Sequence, residues 1–185
     1  NIKALRPQEK PASVFKGEVL LKVGDGISTD DILPAGSLTQ HLRSNLPEIA
    51  KYTYYYVDNS FAKRAEEKGG GFIIGGDNYG QGSSREHAAL APWQLNVKAI
   101  FAKSYARIHK ANLINAGIVP LEADTDAIDQ GDEIEVNIDG LATGKLVARN
   151  LTKGTDIPCT VTLSQRDLEI ISAGGLLAYT KEKHA

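Results

Sequence analysis

The stretch best able to do chemistry is Gly82-Ser83-Ser84-Arg85-Glu86. It follows a short apolar run, Phe72-Ile73-Ile74, and a glycine-rich loop, Gly75 to Gly82; the apolar Ala88, Ala89 and Leu90 come after it. Strand, glycine loop, helix start is the order that turns backbone N–H groups toward an anion. Glycines let a ligand approach the main chain. A helix N-terminus carries about half a positive charge, and Arg85 adds a permanently charged fork. Together they would hold a carboxylate, or stabilise a deprotonated Ser83 hydroxyl as a base. Without such help a serine hydroxyl is far too weak an acid to serve at neutral pH. Ser83 and Glu86 also have the spacing of a capping box, which predicts a helix opened at or near Ser83.

Other reactive side chains carry less. Asp30 and Asp31 are adjacent in a loop rich in Gly, Ser and Thr, residues 24–36, where acids are usually turn formers and caps. His87 lies four residues after Ser83, on the same side of a helix. The serine is not in a G-x-S-x-G elbow, so His87 reads as a packing residue and not as a hydrolase base. His109, in the next helix, reads as a packing or hydrogen-bonding residue and not as a ligand. Trp93 and the tyrosines at 52, 54, 55 and 56 are core or interface material. Cys159, the single cysteine, is expected to be a small buried apolar group.

The elements that must position these groups alternate. Residues 1–16 hold Pro7 and Pro11 and read as a lead-in or linker, ahead of a domain over 17–185. Gly17 to Val23 reads as a strand. Leu38 to Tyr56 reads as mostly helical, and Phe61 to Lys68 as a helix ended by glycines. Pro92 and Asn96 are expected to close the helix after Ser83. Val97 to Ala102 is a buried strand. A helix capped by Ser104 runs from Tyr105 to Ala116, with Gly117 at the C′ position, and a short strand follows over Ile118 to Leu121. Glu133 to Ile138 alternates acid and branched residues, as a half-exposed strand does. Lys145 to Leu151 and Cys159 to Leu163 read as further strands, and Ser164 caps a last helix that runs to Ala173. The tail, Lys181 to Ala185, is polar. The pattern argues for one mixed α/β domain.

Composition narrows the function classes. The chain has 185 residues and a net charge of −2, so nothing in its bulk charge favours nucleic acid. No apolar run is long enough to cross a membrane, and no signal peptide is visible; a cytoplasmic setting is expected. A single cysteine leaves no cysteine cluster for zinc or an iron–sulfur centre. The chain has no Met and begins at Asn1, as a trimmed product or a piece of a longer protein would.

GSSREHA, residues 82–88, closely resembles the active-site motif of the aconitase superfamily, where it lies on the mobile C-terminal swivel domain. STDDILPAG (28–36), KSYARIHKANLINAGIVPL (103–121) and QGDEIEV (130–136) fit in the same order. The resemblance covers about residues 17 to 180 and implies an α/β fold, a mixed-sheet swivelling β/β/α domain of aconitase type. It also implies roles. Ser83 matches the serine that moves the proton at the substrate carbon. Ser84 and Arg85 match the pair that contacts a substrate carboxylate. Asp30 matches a catalytic acid in the loop after the first strand. Arg43 matches a second carboxylate-binding arginine, set one residue further along than the aconitase pattern. Asp31 stands where many aconitases have His and is given no role.

In this family, dehydration and rehydration of a tricarboxylate or hydroxy-dicarboxylate uses a four-iron, four-sulfur cluster held by three cysteines. The cluster would therefore lie outside this chain, on a cluster-bearing domain or large subunit, and the chain would be inactive alone. AALAPWQL and SYARIHKANL resemble aconitases proper, so citrate/isocitrate isomerisation by an aconitate hydratase is expected. The small subunit of isopropylmalate isomerase, or homoaconitase, is the alternative. A non-catalytic carboxylate-binding module is a third reading, and RNA binding of the kind some aconitases show finds no support in the charge. The loop from Pro34 to Arg43 is where substrate side-chain choice is expected to lie.

Overall fold

The computed structural model describes residues 2–185. Seven strands close into a barrel in the order β1-β2-β3-β4-β7-β6-β5. β1 (Val14–Lys22), β2 (Gly71–Ile74), β3 (Val97–Ala102) and β4 (Val119–Ala123) are mutually parallel neighbours. β5 (Glu133–Asn137), β6 (Lys145–Asn150) and β7 (Thr155–Thr160) close the ring antiparallel, β7 on β4 and β5 on β1. Parallel neighbours need crossovers: residues 23–70 connect β1 to β2, α4 (His87–Gln94) connects β2 to β3, and α5 (Arg107–Ala116) connects β3 to β4. The mixed sheet expected from the sequence is present; its closure follows from β1 having a partner on each side.

The parallel strands are apolar throughout because both their faces are covered. Phe72 and Ile74 point into the barrel with Phe101, Val119, Val136 and Cys159. Ile73 and Ile100 face outward, under Ile32, Ile49, Phe61, Ala88 and Trp93 from the helical layer. β5 and β6 have one buried face and alternate accordingly.

Several boundaries differ from expectation. β1 begins at Val14, three residues inside the stretch read as lead-in, because Phe15 pairs with Val136 and enters the barrel. The rest of that stretch is docked. Arg6 stacks on Trp93 at 4.1 Å and bonds Asn96 at 2.8 Å, and Gln8 Oε1 accepts from the N–H of Leu177 and Ala178. Residues 38–57 are mainly turns around a short α2 (Leu46–Ala50), with Tyr54 at φ 55°. α3 (Phe61–Lys68) ends at a left-handed Gly69, as expected. Pro92 lies inside α4 and Asn96 beyond it. The last strand is β7, earlier than expected and containing Pro158. α6 (Gln165–Ala173) has the Ser164 cap. The polar tail belongs to a further helix, α7 (Leu176–His184), missed because no apolar stripe marks it.

Candidate active site

Because β1 to β4 run parallel, the segments after β1, β2 and β3 share one end of the barrel, and the singled-out residues gather there. The segment after β1 carries Asp30 in a short helix, the loop after β2 carries Ser83 to Arg85, and the segment after β3 leads into α5. Two of these loops are stitched together. Gly80 and Gln81 both donate N–H to the Ile27 carbonyl, and Thr29 N–H donates to Gln81 at 2.9 Å. Thr29 Oγ1 donates to the Ser83 carbonyl at 2.9 Å. Asp77 N–H donates to Asp25 Oδ1 at 2.7 Å.

The glycine loop works differently from the expectation that its amides face an anion. Each N–H from Gly75 to Gln81 is already bonded within the scaffold. The loop needs glycine for conformation and space. Gly80 has φ 87°, and a Cβ there would run into the His109 ring. The amides without a partner come later, from Gly82 through His87.

The predicted Ser83–Glu86 capping box is not formed. α4 starts at His87 with Glu86 as an uncapped first position. The tie from Thr29 to the Ser83 carbonyl holds Ser83 short of the helix, so its hydroxyl is exposed and free of a capping bond. The boxes that do form are Ser28–Asp31 on α1 (Thr29–Ile32) and Ser164–Asp167 on α6. Asp31 is thus a helix cap, its Oδ2 accepting from Ser28 N–H at 2.9 Å.

Arg85 and Asp30 meet. Arg85 Nη1 donates to Asp30 Oδ1 at 2.5 Å and to the Leu33 carbonyl at 2.7 Å, and Nη2 donates to the Pro34 carbonyl at 3.3 Å. Arg85 Nε takes no part in these bonds. Ser84 and Arg85 form a wall between two hollows, and Ser83 lines the first of them. One, of about 260 Å³, is shared with Thr29, Gly82, Arg107 and His109. The other, of about 240 Å³, is shared with Thr39, Arg43 and His87. Arg43 is therefore on the far side of the wall from Thr29, exposed, and its carbonyl lies 2.9 Å from His87 Nε2. His87 joins the Arg43 turn to α4 and so does more than pack.

Two groups in the site drew no attention from the sequence: Arg107 at the head of α5, and the Thr29 hydroxyl. His109, expected to pack or to hydrogen-bond, is 2% exposed and packs with both ring nitrogens unbonded. Burial pushes its pKa down to about 4, so it is neutral at neutral pH.

The donors here do not fit an iron–sulfur cluster. Cys159, the only cysteine of the chain, is sealed in the barrel, with burial pushing its thiol up to about 11. Among the described residues no three His, Cys, Asp or Glu converge as a metal site. None of the described helices is long and apolar enough to cross a membrane.

Comparison with known proteins adds to this geometry. The profile of the aconitase C-terminal domain matches residues 40–126. The chain is 46% identical to the 3-isopropylmalate dehydratase small subunit 2 of Archaeoglobus fulgidus, over 87% of this chain and 92% of that protein. The chain belongs to the aconitase superfamily. It is also 39% identical to the methanogen homoaconitase small subunit of Methanocaldococcus jannaschii, over 88% of this chain and 89% of that protein. The crystal structure of a 3-isopropylmalate dehydratase from that organism superposes with a TM-score of 0.78 at 35% identity, covering 92% of this chain and 95% of the other. The two small subunits are those of a 3-isopropylmalate dehydratase and a homoaconitase, which favours the small-subunit alternative over the aconitate hydratase expected from AALAPWQL and SYARIHKANL.

Proposed function

We propose that this chain supplies the proton-transferring base and part of the carboxylate clamp of a hydro-lyase. The reaction moves water across a hydroxy-di- or tricarboxylic acid. The observation that carries this reading is the Ser83 hydroxyl: exposed, unused by any cap, among unpartnered amides and next to a guanidinium held by Asp30. Ser83 Oγ takes a proton from the carbon beside a carboxylate. Negative charge grows as it leaves, and the amides from Gly82 onward and Arg85 stabilise that charge. Arg85 is pre-oriented by Asp30 and the Leu33 and Pro34 carbonyls, so little reorganisation remains at the moment of reaction. Ser84 lies on the same wall and helps hold the carboxylate.

Departure of hydroxide calls for a Lewis acid. This chain's donors do not provide one, so the chain works with a cluster-bearing large portion and is inactive alone. The small-subunit names of the relatives support that division and a substrate of the isopropylmalate or homoaconitate type. Citrate/isocitrate is the second reading. Like homoaconitate, and unlike isopropylmalate, it carries a third carboxylate, for which Arg43 is an additional cation in the hollow behind Ser84.

The test is the chain assembled with its large portion and assayed on isopropylmalate, homoaconitate and isocitrate. Ser83→Ala should lower kcat by about 10² to 10⁴ while the circular dichroism spectrum is unchanged. An active alanine variant removes the assignment, and the preferred substrate selects between the two readings.

A further inference from the structure

We propose that the first turn of α5 is a second carboxylate subsite of this active site, formed by Arg107, the leading amides of the helix and the His109 imidazole. This rests on the hydro-lyase reading and names where another carboxylate of the same substrate sits.

The observations are independent of the Ser83 motif. α5 is ten residues long and begins at Ala106 without a side-chain cap. Its first helical hydrogen bond is Lys110 N–H to the Ala106 carbonyl, so the N–H groups of Arg107, Ile108 and His109 have no partner. These amides head the positive end of the helix dipole. Ser104, expected from the sequence to cap the helix, is engaged elsewhere: its hydroxyl accepts from Asn78 N–H at 2.8 Å. The helix start opens on the 260 Å³ hollow whose other wall is Ser83-Ser84-Arg85.

Two side chains point to a ligand there. Arg107 is exposed and has no ion pair among the described residues, although Asp and Glu pair with most cations of this surface. His109 lines the same hollow, buried to 2%, with both Nδ1 and Nε2 unpartnered. Burying an imidazole without hydrogen bonds is unfavourable, and a ligand oxygen offsets that cost. A neutral ring offers one N–H donor, which suits a carboxylate oxygen. The Asn112 amide completes the lining. One carboxylate held on the Arg85 side and another at α5 would fix the carbon between them opposite Ser83.

The test has two arms. In the assembled enzyme, Arg107→Gln should raise KM about tenfold or more and leave kcat within about twofold, and Arg107→Lys should recover part of the loss. In the isolated full chain, propane-1,2,3-tricarboxylate, which has no hydroxyl to lose, should shift the His109 imidazole resonances; Arg107→Gln should abolish that shift. An unchanged KM in Arg107→Gln, or His109 resonances that do not move at saturating tricarboxylate, overturns the subsite. The resonance arm needs no turnover, so it decides the subsite even if Ser83→Ala proves active and the hydro-lyase reading falls.

Discussion

Arg85 and Asp30, 55 positions apart in sequence, meet at 2.5 Å, and the same guanidinium nitrogen binds the Leu33 carbonyl at 2.7 Å. The pair clamps the loop after β1 to the segment after the glycine loop. Arg85 is 18% exposed and Asp30 64%, so the carboxylate faces solvent while the fork lies against the loop. An ion pair with one partner so exposed adds little to stability. Its value is in aiming Arg85.

Asp30→Asn should therefore cost less than about 1 kcal/mol of stability. It should raise KM and lower kcat together, because a misplaced guanidinium affects both carboxylate binding and charge stabilisation. Urea unfolding and steady-state kinetics of the assembled enzyme check the two halves. A large loss of stability with normal kinetics would contradict the orienting role.

Gly80→Ala should unfold or severely destabilise the chain. The backbone is at φ 87° and the new methyl would meet the His109 ring, which is buried and cannot retreat. The two effects together should exceed about 2–3 kcal/mol. Gly36→Ala, also at positive φ but with nothing within 4 Å, should cost about 1 kcal/mol. Comparing the two unfolding midpoints separates collision from backbone strain.

Tyr54 and Tyr79 place their hydroxyls together in the core, joining the turn after α2 to the glycine loop. Burial raises both phenols above their ordinary range, so both stay protonated. Either single change to Phe strands one buried hydroxyl and should cost about 1–3 kcal/mol. The double change should cost clearly less than the sum. Additive losses in a double-mutant cycle would show that the two hydroxyls are not coupled.

His109 should make the chain acid-sensitive. Its folded-state pKa is near 4 against an ordinary 6.5, with burial as the cause; the neighbouring Tyr79 and Gly80 bring no opposing charge. Well above pH 6.5 the ring is neutral folded and unfolded and contributes nothing to the pH dependence. Between pH 6.5 and 4 the unfolded chain binds a proton that the folded chain does not, so stability falls, by roughly 3 kcal/mol in all. His109→Gln should flatten that part of the pH–stability curve measured by urea unfolding. An unchanged slope would mean other groups cause it.

The sequence by itself determined the pieces that local chemistry dictates. Phe72-Ile73-Ile74 and Val97–Ala102 read as buried strands because both faces of a parallel strand are covered, leaving a continuous apolar run. Gly69 and Gly117 mark helix ends because a left-handed residue is needed there. The GSSREHA motif drew attention to residues that line the two hollows. What only the tertiary structure decided depends on partners far apart in the chain. Ser83 has the spacing of a helix cap, yet Thr29 holds it clear of the helix and leaves its hydroxyl free. Asp30 and Asp31 look alike in sequence, but one orients Arg85 and the other caps α1. The barrel closes, and the lead-in docks on Trp93 and α7, through pairings that no local pattern encodes. Spacing fixes which groups are neighbours along one element; which loops meet across the barrel end is set by packing, because only the folded sheet brings its strand termini to a common edge.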